Sequence, residues 1–439
     1  MKQTRGPFLV LFGLLLVIAT VAAWDYIEVW RLDRELARIE SLGEPATTRG
    51  IDSTTTGEEE TAASRYYRAA VALVDRESRP GDNLFQVRIG KARNSNEWPN
   101  DLLEEMRGRV SRNGEALLYL DKAAALEFEG FREFPPMSAY QLHTLFPVAE
   151  LRTNILALEG RSAEAALSLY SSLRLQRTMG FWSLDGPVEG RRSVARRSDF
   201  LAVMYLPRQL QMLVSRTRPA AKNLAMLAEG FAALDDDDLL LHDLLWLRAT
   251  SRINVDNPYW WRRAGGVGVG AFKLGESIAA SIQAPLYRPF LLHWTNGLLR
   301  DYGDAIAAQA GKDWPDRLDV LAEFDRTPFD LSRHGQSVAR ELALIRTART
   351  IVAIEQYRRA NAERIPENGN ALSNIQAPLI DPFSGQPLKI LQTSTGYVVY
   401  SVGTNRRDDG GRAVTVPPPP AGRQPAEGPP DVGISVTLN

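Results

Sequence analysis

The chain has 439 residues, of which 44% are hydrophobic and 24% charged, and this composition excludes a mainly disordered protein. Its 52 basic and 53 acidic residues give a net charge of -1, which excludes the overall basic excess of a general nucleic-acid binder. The sequence contains no cysteine, which excludes disulfides, thiolate metal sites and a cysteine nucleophile.

The N-terminus has the pattern of a membrane anchor. Residues 1–6 form a short tail with two basic residues, and residues 7–24 carry no charge. A helix of this second stretch would be about 27 Å long, close to the hydrocarbon core of about 30 Å of a bilayer. Because basic residues flank the cytoplasmic end of a span, we expect a single-pass protein of the bacterial inner membrane with a cytoplasmic N-terminus. The bulk of the chain would then be periplasmic or extracellular.

A cleaved signal peptide is the alternative, because the small residues Val21, Ala22 and Ala23 suit a cleavage site. Helical periodicity, however, continues beyond them. Apolar residues recur at the spacings of a coiled-coil seam, at Val29, Leu32, Leu36 and Ile39. This pattern favours an uncleaved anchor that continues as a helical stalk over residues 25–42.

A polar linker at 43–60 separates the stalk from a predicted helical domain at 61–330. Within this domain, residues 145–158 and 163–179 predict a helical hairpin that turns at Gly160. Its sequence, LALEGRSAEAALSLYSSLRL, resembles one tetratricopeptide-type unit. Further helices are predicted at 189–216, 219–234, 236–254, 288–310 and 335–362.

The last part of the chain, residues 335–439, predicts a small α+β module. A long helix is followed by β-branched runs at 388–391, 397–402 and 432–438, and a proline-rich loop occupies 415–430. We therefore expect a mainly α fold. It comprises an N-terminal transmembrane helix, a multi-helix extracytoplasmic domain, and this module with its long helix and short antiparallel sheet.

Six short motifs lie along this module. In chain order they are Tyr357, Ile365-Pro366, Asp381-Pro382-Phe383, Tyr400-Ser401-Val402-Gly403, Gly410-Gly411 and Asp431. Together they resemble the globular head of the major pseudopilin of type II secretion systems. The N-terminus departs from that family, because its apolar run lacks the Gly-Phe junction and the glutamate of a pseudopilin. The resemblance therefore implies a pseudopilin-head-like module on a different membrane protein.

The resemblance also implies a calcium site, since a loop of the pseudopilin head binds calcium through acidic side chains and backbone carbonyls. The matching candidate ligands here are Asn405, Asp408, Asp409 and Asp431. Hard oxygen ligands in a flexible loop suit this cation. The alternative is an ordinary solvated acidic turn, and the proline-rich insertion before Asp431 leaves the closure of the site open.

Two further groups are candidate surfaces for a ligand or partner. Arg192 and Arg196 would share one face of the helix predicted at 189–216, where they would hold an anionic partner or form a salt-bridged surface. Trp260 and Trp261 would stack on a sugar or dock on the membrane if they are exposed, whereas buried they would belong to the core.

Catalytic motifs are not found in the sequence. The four histidines are scattered, and neither G-x-S-x-G nor S-x-x-K occurs. The acidic run 235–238 with His242 is the densest group of metal-ligand residue types, and helix capping is the favoured interpretation of it. The glycine-rich tract 265–270 lacks the ending of a phosphate-binding loop. We therefore expect a protein without enzymatic activity.

These observations predict a membrane-anchored scaffold or interaction protein of the bacterial envelope, linked to type II secretion or pilus-like machinery. Its expected partners are the membrane and other envelope proteins, but not nucleic acid, and calcium is the one cofactor considered. The alternatives are an envelope hydrolase whose acidic residues converge in a groove of the helical domain, and a glycan-binding protein.

Overall fold

The structure is a computed structural model that describes residues 5–44, 62–75, 83–126, 142–179, 181–184, 193–196, 204–251, 278–324, 331–375, 377, 379–411 and 431–438. Helices dominate this part of the chain, and a small antiparallel sheet lies near its C-terminal end. The predicted fold class is therefore confirmed. The proline-rich loop 415–430 and most of the linker 43–60 lie outside the described residues.

The elements follow one another as long helices with two short β regions. The first are α1 (Arg5–Ser41), α2 (Ala62–Leu73), α3 (Asn83–Ser95), α4 (Asn100–Arg112), α5 (Gly114–Ala124), α6 (Leu145–Leu158), α7 (Ser162–Met179), β1 (Phe181–Leu184) and β2 (Ser193–Arg196). The others are α8 (Tyr205–Arg216), α9 (Ala221–Ala232), α10 (Leu239–Ser251), α11 (Ile278–Gln309), α12 (Asp316–Ala322), α13 (Leu331–Ala360), a 3-10 turn (Gly369–Leu372), β3 (Lys389–Thr393), β4 (Gly396–Ser401) and β5 (Val432–Thr437).

Helix α1 joins the predicted anchor and stalk without a break over 37 residues. Residues 12–20 are all exposed, and the apolar side chains of Leu14 and Ile18 are 56% and 55% exposed. Among the described residues, α1 is the one helix that is long and apolar enough to cross a membrane. Within the described part of the chain, no protein neighbour therefore covers residues 12–20 of α1.

The second half of α1 packs against α11. Leu32, Leu36 and Ile39, three residues of the predicted seam, are buried in a cluster with Leu292 and Leu299. The seam predicted from the sequence is therefore filled by a helix of the same chain.

The helices α1 and α11 run parallel, since their contacts advance in the same direction along both. Asp25 pairs with Arg288 near one end, whereas Arg38 lies beside Gly303 near the other. A Cβ atom on Gly303 would lie 2.8 Å from the Arg38 Nη2, so glycine makes room for this close approach.

The predicted helical hairpin is formed by α6 and α7. Gly160 adopts a φ of +73°, the left-handed conformation that ends a helix, and the Arg161 N–H donates to the Leu156 carbonyl at 2.8 Å. Ala165, Leu169 and other small or apolar residues of α7 are buried in the main core. The hairpin thus begins and ends close to the predicted positions.

The helix predicted at 189–216 is wrong in its first part. Residues Ser193–Arg196 form the strand β2, which pairs antiparallel with β1, and the helix begins at Tyr205. Arg196 lies opposite Phe181, so it does not share a helix face with Arg192. The aromatic residues of β1 favour strand pairing, and this pairing comes from outside the window on which the helical spacing was judged.

The C-terminal sheet packs on α13 and α8. Its strand order is β3-β4-β5, with both pairs antiparallel, close to the three predicted strands. One hydrophobic cluster contains Leu213 of α8, Ile351 of α13 and Val436 of β5. Gln211 of α8 also donates to the Ser435 carbonyl at 2.9 Å. The helical region and the C-terminal module therefore share one core.

Candidate functional sites

The first candidate site is the contact between α1 and α11 where the uncharged stretch ends, which we call the helix-pair contact. Trp24 packs edge-on against Phe290, with ring centroids 4.4 Å apart. The next residue of α1, Asp25, forms an ion pair with Arg288 at 2.5 Å. The body of the protein therefore begins to contact α1 immediately after the predicted anchor.

Glu28 is the central residue of the helix-pair contact and is 1% exposed. Its Oε1 accepts hydrogen bonds from Trp24 Nε1 at 3.2 Å and from Arg31 Nη1 at 2.9 Å. His293 Nδ1 lies 3.0 Å from the same oxygen, and Asn296 Nδ2 donates to Oε2 at 3.0 Å. A buried carboxylate is costly unless polar groups surround it, and here they come from both helices. The arrangement fixes the register of α11 against α1.

Large aromatic side chains surround the helix-pair contact on its outer surface. Tyr26, Trp30 and Phe290 are 73%, 54% and 58% exposed. Exposed aromatic rings next to an apolar helix are typical of the interface between membrane and water.

The second candidate site is the end of the C-terminal module, where motifs that are distant in sequence meet. Asp381 is buried and accepts hydrogen bonds from the N–H groups of Phe383 at 2.9 Å and Val402 at 3.0 Å. The Ser401 hydroxyl donates to the same carboxylate at 2.7 Å. The turn 381–383 and the strand end 400–403, two motifs of the pseudopilin resemblance, are thus joined by one side chain.

The predicted calcium ligands lie in one loop beside this strand end. Asn405 Nδ2 donates to Asp409 Oδ2 at 2.9 Å. Asp431 accepts hydrogen bonds from the N–H groups of Asp409 at 3.3 Å and Gly411 at 2.9 Å. Asp431 therefore closes the loop even though the proline-rich segment precedes it in sequence.

The carboxylates of this loop have protein donors as partners. Lys389 Nζ lies 2.5 Å from Asp408, and this contact together with the Gly410 N–H lowers the pKa of Asp408. Burial and the charges of Asp409 and Asp408 raise the pKa of Asp431, against the N–H hydrogen bonds that lower it. In the described part of the chain, no group of three acidic or histidine side chains is arranged to hold a metal ion. Calcium binding by this loop stays a prediction.

The acidic run before α10 makes contacts that the sequence did not indicate. Asp235 Oδ1 accepts a hydrogen bond from Arg346 Nε at 3.0 Å, and Arg349 pairs with the other carboxylate oxygen. Arg346 also pairs with Asp237 and donates to the Ile380 carbonyl at 2.7 Å. The run therefore joins the start of α10 to α13 and to the C-terminal module.

Within the same run, one carboxylate accepts a hydrogen bond from a backbone N–H. Asp236 Oδ1 accepts a hydrogen bond from the Asp238 N–H at 3.0 Å, and His242 Nδ1 lies 3.2 Å from Asp236 Oδ2. Asp236 therefore stabilises the turn that leads into α10, and helix capping by this run stays a prediction.

Three predicted partner residues cannot be placed against these sites. Arg192, Trp260 and Trp261 lie outside the described residues, as does the glycine-rich tract 265–270. The sequence also missed Glu28, although a signal was present. Glu28 precedes Leu32 by one helical turn, so an acidic residue lies on the apolar face of the seam, where it needs a buried polar partner.

The fold and these sites define a mainly helical protein with one N-terminal helix that is long and apolar enough to span a membrane, and with a small C-terminal sheet. No family model matches the chain, and no curated protein and no solved structure is significantly similar to it.

Proposed function

We propose that this chain is a membrane-anchored scaffold or interaction protein of the bacterial envelope. Helix α1 anchors it in the inner membrane with a cytoplasmic N-terminus, and the helical body and the C-terminal module lie outside the cytoplasm. The observation that carries this proposal is the exposed apolar stretch of α1, which continues directly into the buried helix-pair contact. Because the body packs on the second half of α1, an anchor in the first half would hold the body at a fixed distance from the membrane.

An uncleaved anchor is supported by the structure around the candidate cleavage site. The backbone is helical through residues 21–25, and Trp24 already contacts Phe290. Cleavage after Ala23 would require this part of the helix to open beside its contact with α11. We therefore assign α1 the role of a permanent anchor.

The proposed link to secretion or pilus-like machinery rests on the C-terminal module. Its support is the contact network of Asp381, which joins two of the motifs that resemble the pseudopilin head. A module of this kind would bind other envelope proteins through its surface, with the anchor keeping it close to the membrane.

Purification of the tagged full-length protein from solubilised membranes tests this function. The informative variant is Gly433→Val, because a Cβ atom at Gly433 would lie 2.3 Å from the Val399 carbonyl oxygen and would disrupt the pairing of β4 with β5. The matched control is Leu167→Ala on the exposed face of α7. Secretion or pilus subunits should be recovered with the parent and the control and be lost with Gly433→Val.

The opposite result would identify one of the alternatives. A protein that is recovered without envelope partners and that hydrolyses a glycan would contradict the scaffold function and support the envelope hydrolase.

A further inference from the structure

We propose that Arg93 and Arg208, together with the Tyr205 hydroxyl, bind an oxyanion, which is the phosphate or carboxylate group of a ligand. These residues and Glu150 come together where α3 and α8 each contact α6, and we call them the arginine cluster. The inference does not depend on the proposed membrane anchor. It goes beyond the scaffold function, because it assigns the helical body a ligand of defined charge.

Two contacts bring α8 against the part of α6 that carries Glu150. Tyr205 stacks on Phe146, which precedes Glu150 by one helical turn, and the ring centroids are 5.8 Å apart. Thr153, which follows Glu150 by about one turn, donates to Gln209 Oε1 at 2.9 Å. The segment of α8 from Tyr205 to Gln209 therefore lies beside Glu150.

Arg208 belongs to this segment of α8 and has no counter-ion. Within the described ranges of the chain, its guanidinium forms no hydrogen bond and no ion pair. Both Arg208 and Tyr205 are partly exposed, so a ligand from solution can reach them. An arginine that carries five N–H donors is thus available at this surface.

Arg93 is buried close to Arg208 and has an unused donor. Its side chain is 10% exposed, and it pairs with Glu150, which is 2% exposed, at 2.5 Å. Its Nε has no hydrogen-bond partner among the residues that the structure describes. Burial lowers the pKa of Arg93, the charge of Glu150 opposes this change, and the charge of Arg208 lowers the pKa further.

The arginine cluster is therefore short of negative charge. Two guanidinium groups share the one carboxylate of Glu150, and a buried cation without a full set of partners is costly. A bound oxyanion would supply both the missing charge and acceptors for the unused N–H donors. Guanidinium groups bind phosphate and carboxylate through short, charge-assisted hydrogen bonds.

The Tyr205 hydroxyl adds a neutral donor to the cluster. The rings of His143 and Phe146 lie 5.6 Å and 5.8 Å from the Tyr205 ring and hold it in place. Burial and the charge of Glu150 raise the pKa of Tyr205 to about 12, although the charge of Arg208 acts in the opposite direction. The hydroxyl therefore stays protonated and can donate a hydrogen bond to an anion.

Thermal melting and calorimetry of the full-length protein in a nonionic detergent test this inference, with the ionic strength kept constant by chloride. Inorganic phosphate and glucuronate are the two probes, because one supplies a phosphate group and the other a carboxylate. The informative variant is Arg208→Gln, which removes a positive charge and no hydrogen bond to a described residue. The matched control is Arg359→Gln, which replaces an exposed arginine of α13.

We expect at least one probe, at millimolar concentration, to raise the melting temperature of the parent and of Arg359→Gln. Arg208→Gln should bind that probe about tenfold more weakly, and Tyr205→Phe should also bind it more weakly. Without a probe, Arg208→Gln should melt at the parent temperature or above it, because the repulsion of Arg93 is removed.

The two probes also distinguish the source of the oxyanion. A response to phosphate alone assigns a phosphate group, and a response to glucuronate alone assigns a carboxylate. If neither probe raises the melting temperature of the parent, or if the parent and Arg208→Gln bind the probe equally well, the inference is overturned.

Discussion

Asn296 of α11 donates two hydrogen bonds to Glu28 of α1, one to the carboxylate Oε2 and one to the backbone carbonyl, each at 3.0 Å. Both residues are buried, with 8% and 1% of their surfaces exposed, so water does not compete for these hydrogen bonds. The pair links two helices that are far apart in sequence. It therefore holds the body of the protein in a defined position relative to α1.

Replacing Glu28 should loosen this link. Glu28→Ala leaves the buried Asn296 amide without its carboxylate acceptor, and we expect the free energy of unfolding to fall by about 1–3 kcal/mol. Denaturant titration of the detergent-solubilised protein measures the change. Asp33→Ala, an exposed acidic residue of the same helix, is the control and should leave the midpoint unchanged. Equal midpoints for both variants would contradict a stabilising role of Glu28.

Replacing Arg346 should lower the free energy of unfolding more than replacing Glu28 does. Arg346 and Asp235 both have side chains that are 6% exposed. Breaking a buried pair by removing one partner costs about 3–5 kcal/mol, and we expect the low end for Arg346→Ala because Arg349 still pairs with Asp235.

The control for this prediction is Arg359→Ala, an exposed arginine of the same helix that should unfold like the parent. In a double-mutant cycle, Asp235→Ala combined with Arg346→Ala should cost less than the sum of the two single changes. Additive costs would show that the two side chains do not interact.

Asp381 should be the most sensitive acidic residue of the C-terminal module. Asp381→Ala removes the acceptor of the Ser401 hydroxyl and of two backbone N–H groups, and hydrogen bonds to charged groups contribute about 1.5–3 kcal/mol. We expect the unfolding midpoint to fall, and proteolysis between β4 and β5 to become faster. Glu367→Ala changes an exposed acidic residue of the same module and should have neither effect.

Replacing Lys389 tests whether the C-terminal loop binds calcium. A cation at Asp408 must displace the Lys389 ammonium group, which lies 2.5 Å from the carboxylate. We expect millimolar calcium to raise the melting temperature, with a larger rise in Lys389→Ala and none in Asp431→Asn. If calcium and a chelator leave the melting temperature of both the parent and Lys389→Ala unchanged, the loop is a hydrogen-bonded turn without a metal.

Local signals in the sequence were sufficient for much of the fold. The hairpin of α6 and α7 was predicted because Gly160 ends one helix and polar residues precede the next, and both signals lie within a few residues of the turn. The strands of the C-terminal sheet were predicted for the same reason, since turn residues bound each of them. The helix across Ser193–Arg196 failed because its strand partner, β1, lies outside the local window.

The candidate sites were less predictable because their partners are distant in sequence. The seam of Leu32 and Leu36 indicated that some surface covers this face of α1, but nothing local identified Leu292 and Leu299 as that surface. The candidate calcium ligands were identified through a resemblance, whereas Lys389, which pairs with Asp408, is not among the matching motif residues. An apolar or acidic pattern thus predicts that a partner exists, and the fold determines which residue it is.

We propose that one uncleaved helix anchors the chain and that the body of the protein lies outside the cytoplasm. The most direct measurement is labelling of Leu167→Cys, the only cysteine in that variant, with a membrane-impermeant maleimide in intact spheroplasts. We expect rapid labelling of a full-length protein that remains in the membrane after alkaline extraction. Labelling that requires lysis of the spheroplasts, or a labelled protein that has lost residues 1–23 and is released by alkali, would contradict it.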